Sequence, residues 1–273
     1  MKYLNREAAP ISAKVWEEID ELVVSTAKSL LVGRKLLDVQ GPLGLGFKAV
    51  ISKTEKVAET GPPLSARVLC SPSIPLPQIY SSFPLSISMI EAYEDYKQPL
   101  DLSAVLQATK NCVFREDELI FWGYERLGIT GILNTPGVQK SALGDWKKVG
   151  QAIEDVIQAA NQLDRAGYPG PYALALASPL YNSLFRLYED SDILQIENLR
   201  SLVTEGVFKA PVLKNSGVLI DTVSDSNQIV LGQDLVTSFS GFGEVFYEFT
   251  LSESLVPLIE VPEAICIISE QTA

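Results

Sequence analysis

The chain has no histidine among its 273 residues. Ser-His-Asp and Cys-His nucleophiles, two-histidine zinc helices and the Glu-x-x-His pairs of di-iron bundles all need the missing imidazole, so most common catalytic constellations are excluded. Cysteine is scarce as well. Cys70, Cys112 and Cys266 are an odd number at unrelated spacings, which suggests neither a disulfide framework nor a zinc site and leaves buried free thiols. Positive charge is short: 22 Lys and Arg against 34 Asp and Glu give 22 − 34 = −12. A surface of that sign argues against neutralising phosphates and against a polybasic membrane anchor, so neither nucleic acid nor membrane is an expected partner. No apolar run approaches the roughly 20 residues that span a bilayer. The opening MKYLNREAAP has Arg6 and Glu7 where a signal peptide needs an apolar stretch, and the expected location is the cytoplasm.

What is present is ample apolar content, 47%, for one large domain or two modest ones. At Ser12 a hydroxyl N-cap precedes Val15, Trp16, Ile19, Leu22, Val23, Leu30 and Leu31 at helical spacing. Glu17, Glu18, Asp20 and Glu21 favour the positive end of that helix, Lys28 sits late, and Gly33 is the expected left-handed stop. From Phe47 to about Ser86 the texture changes to short β-leaning pieces broken by Pro62, Pro63, Pro72, Pro75, Pro77 and Pro84. That density predicts an extended hairpin or arm whose partner lies on the same domain or on a neighbouring subunit.

Residues 101–127 predict a second long helix, capped by Asp101 or Ser103, stopped by Gly128 and apolar on two sides. Residues 145–166 predict a third, with Gly167 as its stop. GPYALALAS reads as a buried strand, and Ser178-Pro179 opens a helix through about Tyr188. Residues 193–204 are helical and end at Gly206, and residues 212–268 are mostly β. Strand and helix recurring in this way give an α+β fold. There is no internal repeat and no low-complexity linker.

Four clusters could carry chemistry. GPLGLG at residues 41–46 lacks the Lys-Ser/Thr ending of a phosphate loop, and Pro42 removes a backbone donor, so a structural turn is favoured. Glu116, Asp117 and Glu118 diverge by about 100° per residue on a helix, which favours a solvated or interface salt-bridging face over one metal site. Glu189, Asp190 and Asp192 are a dense acidic loop, a solvated turn in one copy and a negatively charged ring if copies gather about an axis. Gln233 and Asp234 sit within a β-run, with no nucleophile or imidazole at hand, and are expected to satisfy backbone groups. No catalytic residue and no metal ligand is assigned.

Several segments together resemble the encapsulin shell proteins of the classical class, which share the fold of tailed-phage major capsid proteins. The residues carrying the resemblance are LNREAAPISAKVWEEID near the start, GRKLLDVQGPLG at residues 33–44, EDELIFWG at 116–123, GITGIL at 128–133, GPYALAL at 170–176 and LGQDL at 231–235. They occur in the family's order over nearly the whole chain. The resemblance implies an N-terminal helix and arm at 1–46 within a peripheral domain and an extended loop at 47–77. It places the rest of the peripheral domain, with its spine helix, at 78–133, an axial domain at 134–225 and a shared β-rich part at 226–273. It implies a homo-oligomer of 60 subunits or a multiple, closed into an icosahedral cage around a cargo enzyme of the peroxidase or ferritin-like iron oxidase type, and no enzymatic activity in the shell itself.

By the same resemblance, a short terminal targeting peptide of the cargo docks on the inner surface, where Val15, Ile19, Val23, Leu30, Leu31 and Leu36 form the groove wall or its support; plain core packing is the competing reading for each. Tyr188, Glu189, Asp190, Ser191 and Asp192 fall where similar shells place the loop around the five-fold pore, whose charge would admit metal ions and small neutral solutes. Some relatives carry a tryptophan that stacks a flavin; here the position falls on Ser88 or Met89, so no cofactor is expected. Two alternatives stand beside this reading: a phage or prophage capsid protein of the same fold, and a carboxylate-based hydrolase.

Overall fold

The computed structural model describes residues 2–51, 56–57, 69–187, 192–223 and 226–270. Helix α1 (Ala13–Leu30) leads into β1 (Asp38–Gln40), β2 (Ala49–Ile51), β3 (Lys56–Val57), β4 (Leu69–Cys70), β5 (Ser73–Pro75) and β6 (Gln78–Ser86). Next come α2 (Ile87–Tyr96), α3 (Ser103–Trp122), β7 (Gly123–Tyr124), β8 (Ile129–Thr130), β9 (Gln139–Ala142) and α4 (Gln151–Arg165). The remainder is β10 (Tyr172–Leu176), α5 (Ser178–Ser183), α6 (Gln195–Leu202), β11 (Gly206–Lys209), β12 (Ser216–Asp221), β13 (Asn227–Phe242), β14 (Phe246–Ile259) and β15 (Ile265–Ser269).

Local chemistry explains where these elements begin and end. The Ser12 hydroxyl accepts the Val15 N–H at 3.4 Å, and α1 buries Val15, Ile19, Val23, Thr26 and Ala27 along one stripe. The helix stops at Leu30, with the cap at Leu31 rather than at the expected Gly33. Gly33 is there for space: a Cβ would lie 2.5 Å from Ile120 Cδ1 and 3.3 Å from Asp117 Oδ1, so any larger residue would have to displace the buried Ile120 side chain of α3. α3 starts where Asp101 accepts the Ser103 N–H at 2.9 Å, and it ends at Gly123 instead of Gly128. Gly123 has φ +71°, which a side chain rarely adopts, whereas Gly128 only closes a separate short turn.

Three further boundaries differ from those expected. α4 begins at Gln151 and not at Asp145, because Asp145 instead caps a local turn, accepting the Lys147 N–H at 3.1 Å. α5 ends at Ser183, well before Tyr188, and Leu187 forms a bridge to Leu194. α6 ends at Leu202, and Gly206 opens β11.

The strands form two main sheets. One has the order β1-β13-β14-β6, with β1 parallel to β13 and the other neighbours antiparallel. The other has the order β11-β10-β12-β15-β9, parallel at both of its edges. Pro84 lies on β6, an edge strand, where the missing N–H breaks no inner ladder. In the proline-rich stretch β2 pairs with β5 and β3 with β4, both antiparallel, while Pro62 and Pro63 lie outside the described residues. α3 packs against α1 and against β6 and β14, as its two-sided apolar pattern requires. One continuous apolar core joins Val15 of α1, Ile120 of α3 and Phe249 of the first sheet to Leu174, Ile220 and Ile268 of the second.

Candidate functional site

The turn after α1 is the most elaborate polar construction among the described residues. Leaving the helix, the chain presents the N–H groups of Val32 and Gly33 to the Asp117 carboxylate at 3.1 and 2.8 Å. The next residue, Arg34, sends its guanidinium between α3 and the sheet. There Nε and Nη2 meet both oxygens of Glu116 at 2.6 and 2.9 Å, Nη1 meets Asp234 Oδ1 at 2.8 Å, and Nη2 also meets Glu253 Oε2 at 3.0 Å. Glu116 and Glu253 have no exposed surface, whereas the Asp234 side chain is 58% exposed.

Of the solvated or interface salt-bridging face expected on α3, the structure shows the ion pairing, but buried within the subunit instead of in solvent. Glu116 and Asp117 are buried, and only Glu118 points outward, pairing with Arg115 at 2.6 Å. The helical divergence of adjacent positions was the right premise, but it turns Glu116 toward Arg34 and Asp117 toward the turn. The other polar pair is also tied to backbone and to Arg34: the Gln233 amide donates to the Ser252 carbonyl at 3.2 Å, and Asp234 accepts the Leu235 N–H at 2.8 Å as well as Arg34. At GPLGLG, the Leu43 and Gly44 N–H groups donate to the carbonyls of Leu231 and Gly232 at 2.9 and 2.6 Å, so they are not free for a phosphate.

Burial pushes the Asp117 carboxyl up to about 7, against the two backbone N–H groups that favour its charge. Burial also pushes the Cys112 thiol up to about 12, helped by Glu253 and Glu116. Burial works against the charge of Arg34, but its hydrogen bonds to Glu116 and Asp234 outweigh it and hold the guanidinium ionised. Asp117 binds a proton more tightly folded than unfolded, where its ordinary value is 3.8. Its contribution to stability is therefore full below about pH 4 and lost as pH rises toward about 7. Urea titrations of the parent across that window should show the loss, at up to about 1.4 kcal/mol per pH unit, and Asp117→Asn should make it shallower; parallel profiles would refute the assignment.

Beside Arg34 runs a groove of about 300 Å³. Its floor is apolar, formed by Val23, Ala27 and Leu31 of the α1 region and by Leu235 from β13. Its rim carries Val24, Lys28, Lys35 and Asp234. Of the six groove residues expected from the sequence, Val23 and Leu31 line it. Val15 and Ile19 lie wholly in the core, Leu36 is buried against a neighbouring polar cavity of about 250 Å³, and Leu30 is 41% exposed away from the groove. Val24, Ala27, Lys28, Arg34, Lys35, Asp234 and Leu235 were not anticipated. An apolar stripe marks what a helix buries, whereas a groove is lined by the flank of that stripe together with whatever strand lies alongside.

Of the expected pore loop, Tyr188, Glu189, Asp190 and Ser191 lie outside the described residues, and Asp192 is exposed next to the Leu187–Leu194 bridge. Ser88 and Met89 fall in the first turn of α2, with Met89 exposed.

Comparison with known proteins places this geometry in context. The profile of the protein family described as an encapsulating protein for peroxidase matches residues 1–256. The chain is 33% identical over 273 residues to the type 1 encapsulin shell protein EncA of Myxococcus xanthus, covering 97% of this chain and 95% of that one. Among solved structures it is similar to a virus-like particle protein from Pyrococcus furiosus, with a TM-score of 0.71 at 21% identity over 94% of this chain and 100% of the other. It is also similar to the capsid protein of the myovirus phage XM1, with a TM-score of 0.59 at 14% identity over 86% and 90% of the two chains. The fold is therefore the α+β fold of phage-like capsid proteins.

Proposed function

Because this chain belongs to the encapsulin family of shell proteins, we propose that 60 copies, or a multiple, close into an icosahedral cage that holds a guest enzyme captured by a short terminal peptide in the groove beside Arg34. The observation that carries this reading is the family match over residues 1–256 joined to the groove at the end of α1. The single subunit supports assembly too, since it leaves apolar side chains bare at its extremities. Ile51 on β2 is 71% exposed, and Leu69 on β4 and Phe242, Val245 and Phe246 at the β13–β14 turn also stand open. Contacts between copies would cover them, as obligate interfaces cover apolar area.

The guest is read as a peroxidase or a ferritin-like iron oxidase, the peroxidase in keeping with the description of the family profile. The shell itself is read as cytoplasmic, non-enzymatic and without a resident cofactor, its reactions being those of the guest. The acidic loop 188–192 is read as the lining of a pore for metal ions and small solutes. A head filled with DNA is the poorer reading, since packaged phosphate would face a subunit of net charge −12.

Expressed alone, the chain should elute far above its 29.8 kDa mass and appear as closed particles by negative-stain microscopy. A stable monomer at micromolar concentration would overturn the proposal. For the groove, Val24→Asp puts a charge on a rim side chain that is 48% exposed, so cages should still form. Affinity for a synthetic guest tail, measured one peptide per subunit, should fall about tenfold or more, equivalent to ~1.4 kcal/mol. Unchanged affinity would place docking elsewhere. Inside a cage the effect would be muted, because a multimeric guest engages many grooves at once.

A further inference from the structure

With every acid ionised, the buried charges around Arg34 do not balance. Arg34 contributes one positive charge, while Glu116 and Glu253 contribute two negative ones with no exposed surface: +1 − 1 − 1 = −1. Asp234 does not alter this count, since its carboxylate is mostly in water. A net charge left inside a protein is costly unless it is paired or neutralised. The remaining groups that face this cluster supply no second cation among the described residues. Cys112 on α3 is a neutral thiol, Asp117 is engaged with the turn, and Lys35 acts on Asp117.

One atom shows where a proton belongs. Glu253 gives Oε2 to Arg34, but its Oε1, fully buried, has no hydrogen-bond partner. Glu116 Oε2 and Glu253 Oε2 both lie on the same nitrogen, Arg34 Nη2, at 2.9 and 3.0 Å, so the two carboxyl groups converge there. Two carboxylates that converge on one guanidinium away from water repel each other, and a single proton held between them turns that repulsion into a hydrogen bond. It also brings the buried count to zero.

We propose that Glu253 is a positioning residue which shares one proton with Glu116, and that this proton fixes Arg34 in the wall of the groove. The consequence for docking rests on the groove reading above; the proton does not. Burial, then Glu116, raise the affinity of Glu253 for the proton well above that of an ordinary glutamate near 4.5. The stabilisation is accordingly complete below that value and lost as pH rises through the raised one. Removing the proton leaves two carboxylates competing for one guanidinium, and Arg34 loosens.

Infrared spectra of assembled shells test this directly. In an Asp117→Asn background, which removes the other buried acid of raised affinity, the parent should show the carbonyl stretch of a protonated carboxyl at neutral pH. That band should shift on ¹³C-glutamate labelling and vanish at alkaline pH. Glu253→Gln and Glu116→Gln should each abolish it, because either leaves a single carboxylate for Arg34. Glu253→Gln, a neutral isostere, should also retain guest-tail affinity into the alkaline range where the parent loses it, at least fivefold at the same pH.

Absence of a glutamate-derived band in the parent would overturn the proposal. So would a band that survives both substitutions, or identical alkaline profiles for parent and Glu253→Gln. Should neither variant fold, the labelled parent alone decides. Failure of the tail to bind at any pH would instead count against the groove, with the infrared result unaffected.

Discussion

Arg34→Met should lower folding stability by about 3–5 kcal/mol, the usual cost of removing one partner from a buried ionic cluster. The substitution keeps most of the side-chain volume, so the loss reports charge rather than a cavity. Glu116 and Glu253 would be left in an interior without exposed surface and without the cation that both contact. The check is the urea midpoint of purified shells, followed by near-ultraviolet circular dichroism. Arg34→Lys should recover only part of the loss, because an ammonium cannot span both oxygens of Glu116 while also reaching Asp234 and Glu253. The triple variant Arg34→Met, Glu116→Leu, Glu253→Leu should be nearer the parent than Arg34→Met alone, since an apolar replacement of the whole cluster leaves nothing unpaired. A single variant as stable as the parent would mean that the acids find water or protons without Arg34.

Phe249→Ala should be comparably severe, at about 3–5 kcal/mol for truncating a buried phenylalanine. Phe249 has no exposed surface and sits where three elements converge. It stacks on Phe83 of β6 at 5.5 Å, meets Trp16 of α1 edge-on at 5.5 Å and packs against Phe239 of β13 at 5.6 Å. Its loss opens a hole that two strands and a helix share and that none can fill by shifting alone. Phe249→Leu should cost less, since more of the volume is retained. Thermal unfolding midpoints of the two variants give the comparison, and an alanine variant within 1 °C of the parent would contradict the packing account, because ~1 kcal/mol moves a domain of this size by a few degrees.

The parts of the fold legible in the sequence are those fixed by neighbours along the chain. α1 is an example: the Ser12 hydroxyl and the spacing of Val15, Ile19 and Val23 are enough to start it and orient it. The buried run at β10 and the β-rich end were legible for the same reason. Helix ends were less so, because Gly33 and Gly123 answer to what packs against them, and a glycine of the first kind looks the same in sequence as a cap. The site was only half visible. Its Val23 and Leu31 lie on α1, but Leu235 arrives from β13, and Arg34 meets partners 82, 200 and 219 residues away. Nothing local announces such a meeting. The one hint is Glu253 itself, an acid set in the largely apolar run LSESLVPLI of β14.

The unbroken apolar interior that runs from one sheet into the other has a mechanical corollary. One cluster holds both Phe249 and Leu174, so bending the subunit between its two sheets would part apolar side chains from their neighbours. Curvature in a wall of such subunits is therefore cheaper where copies meet than within any one of them.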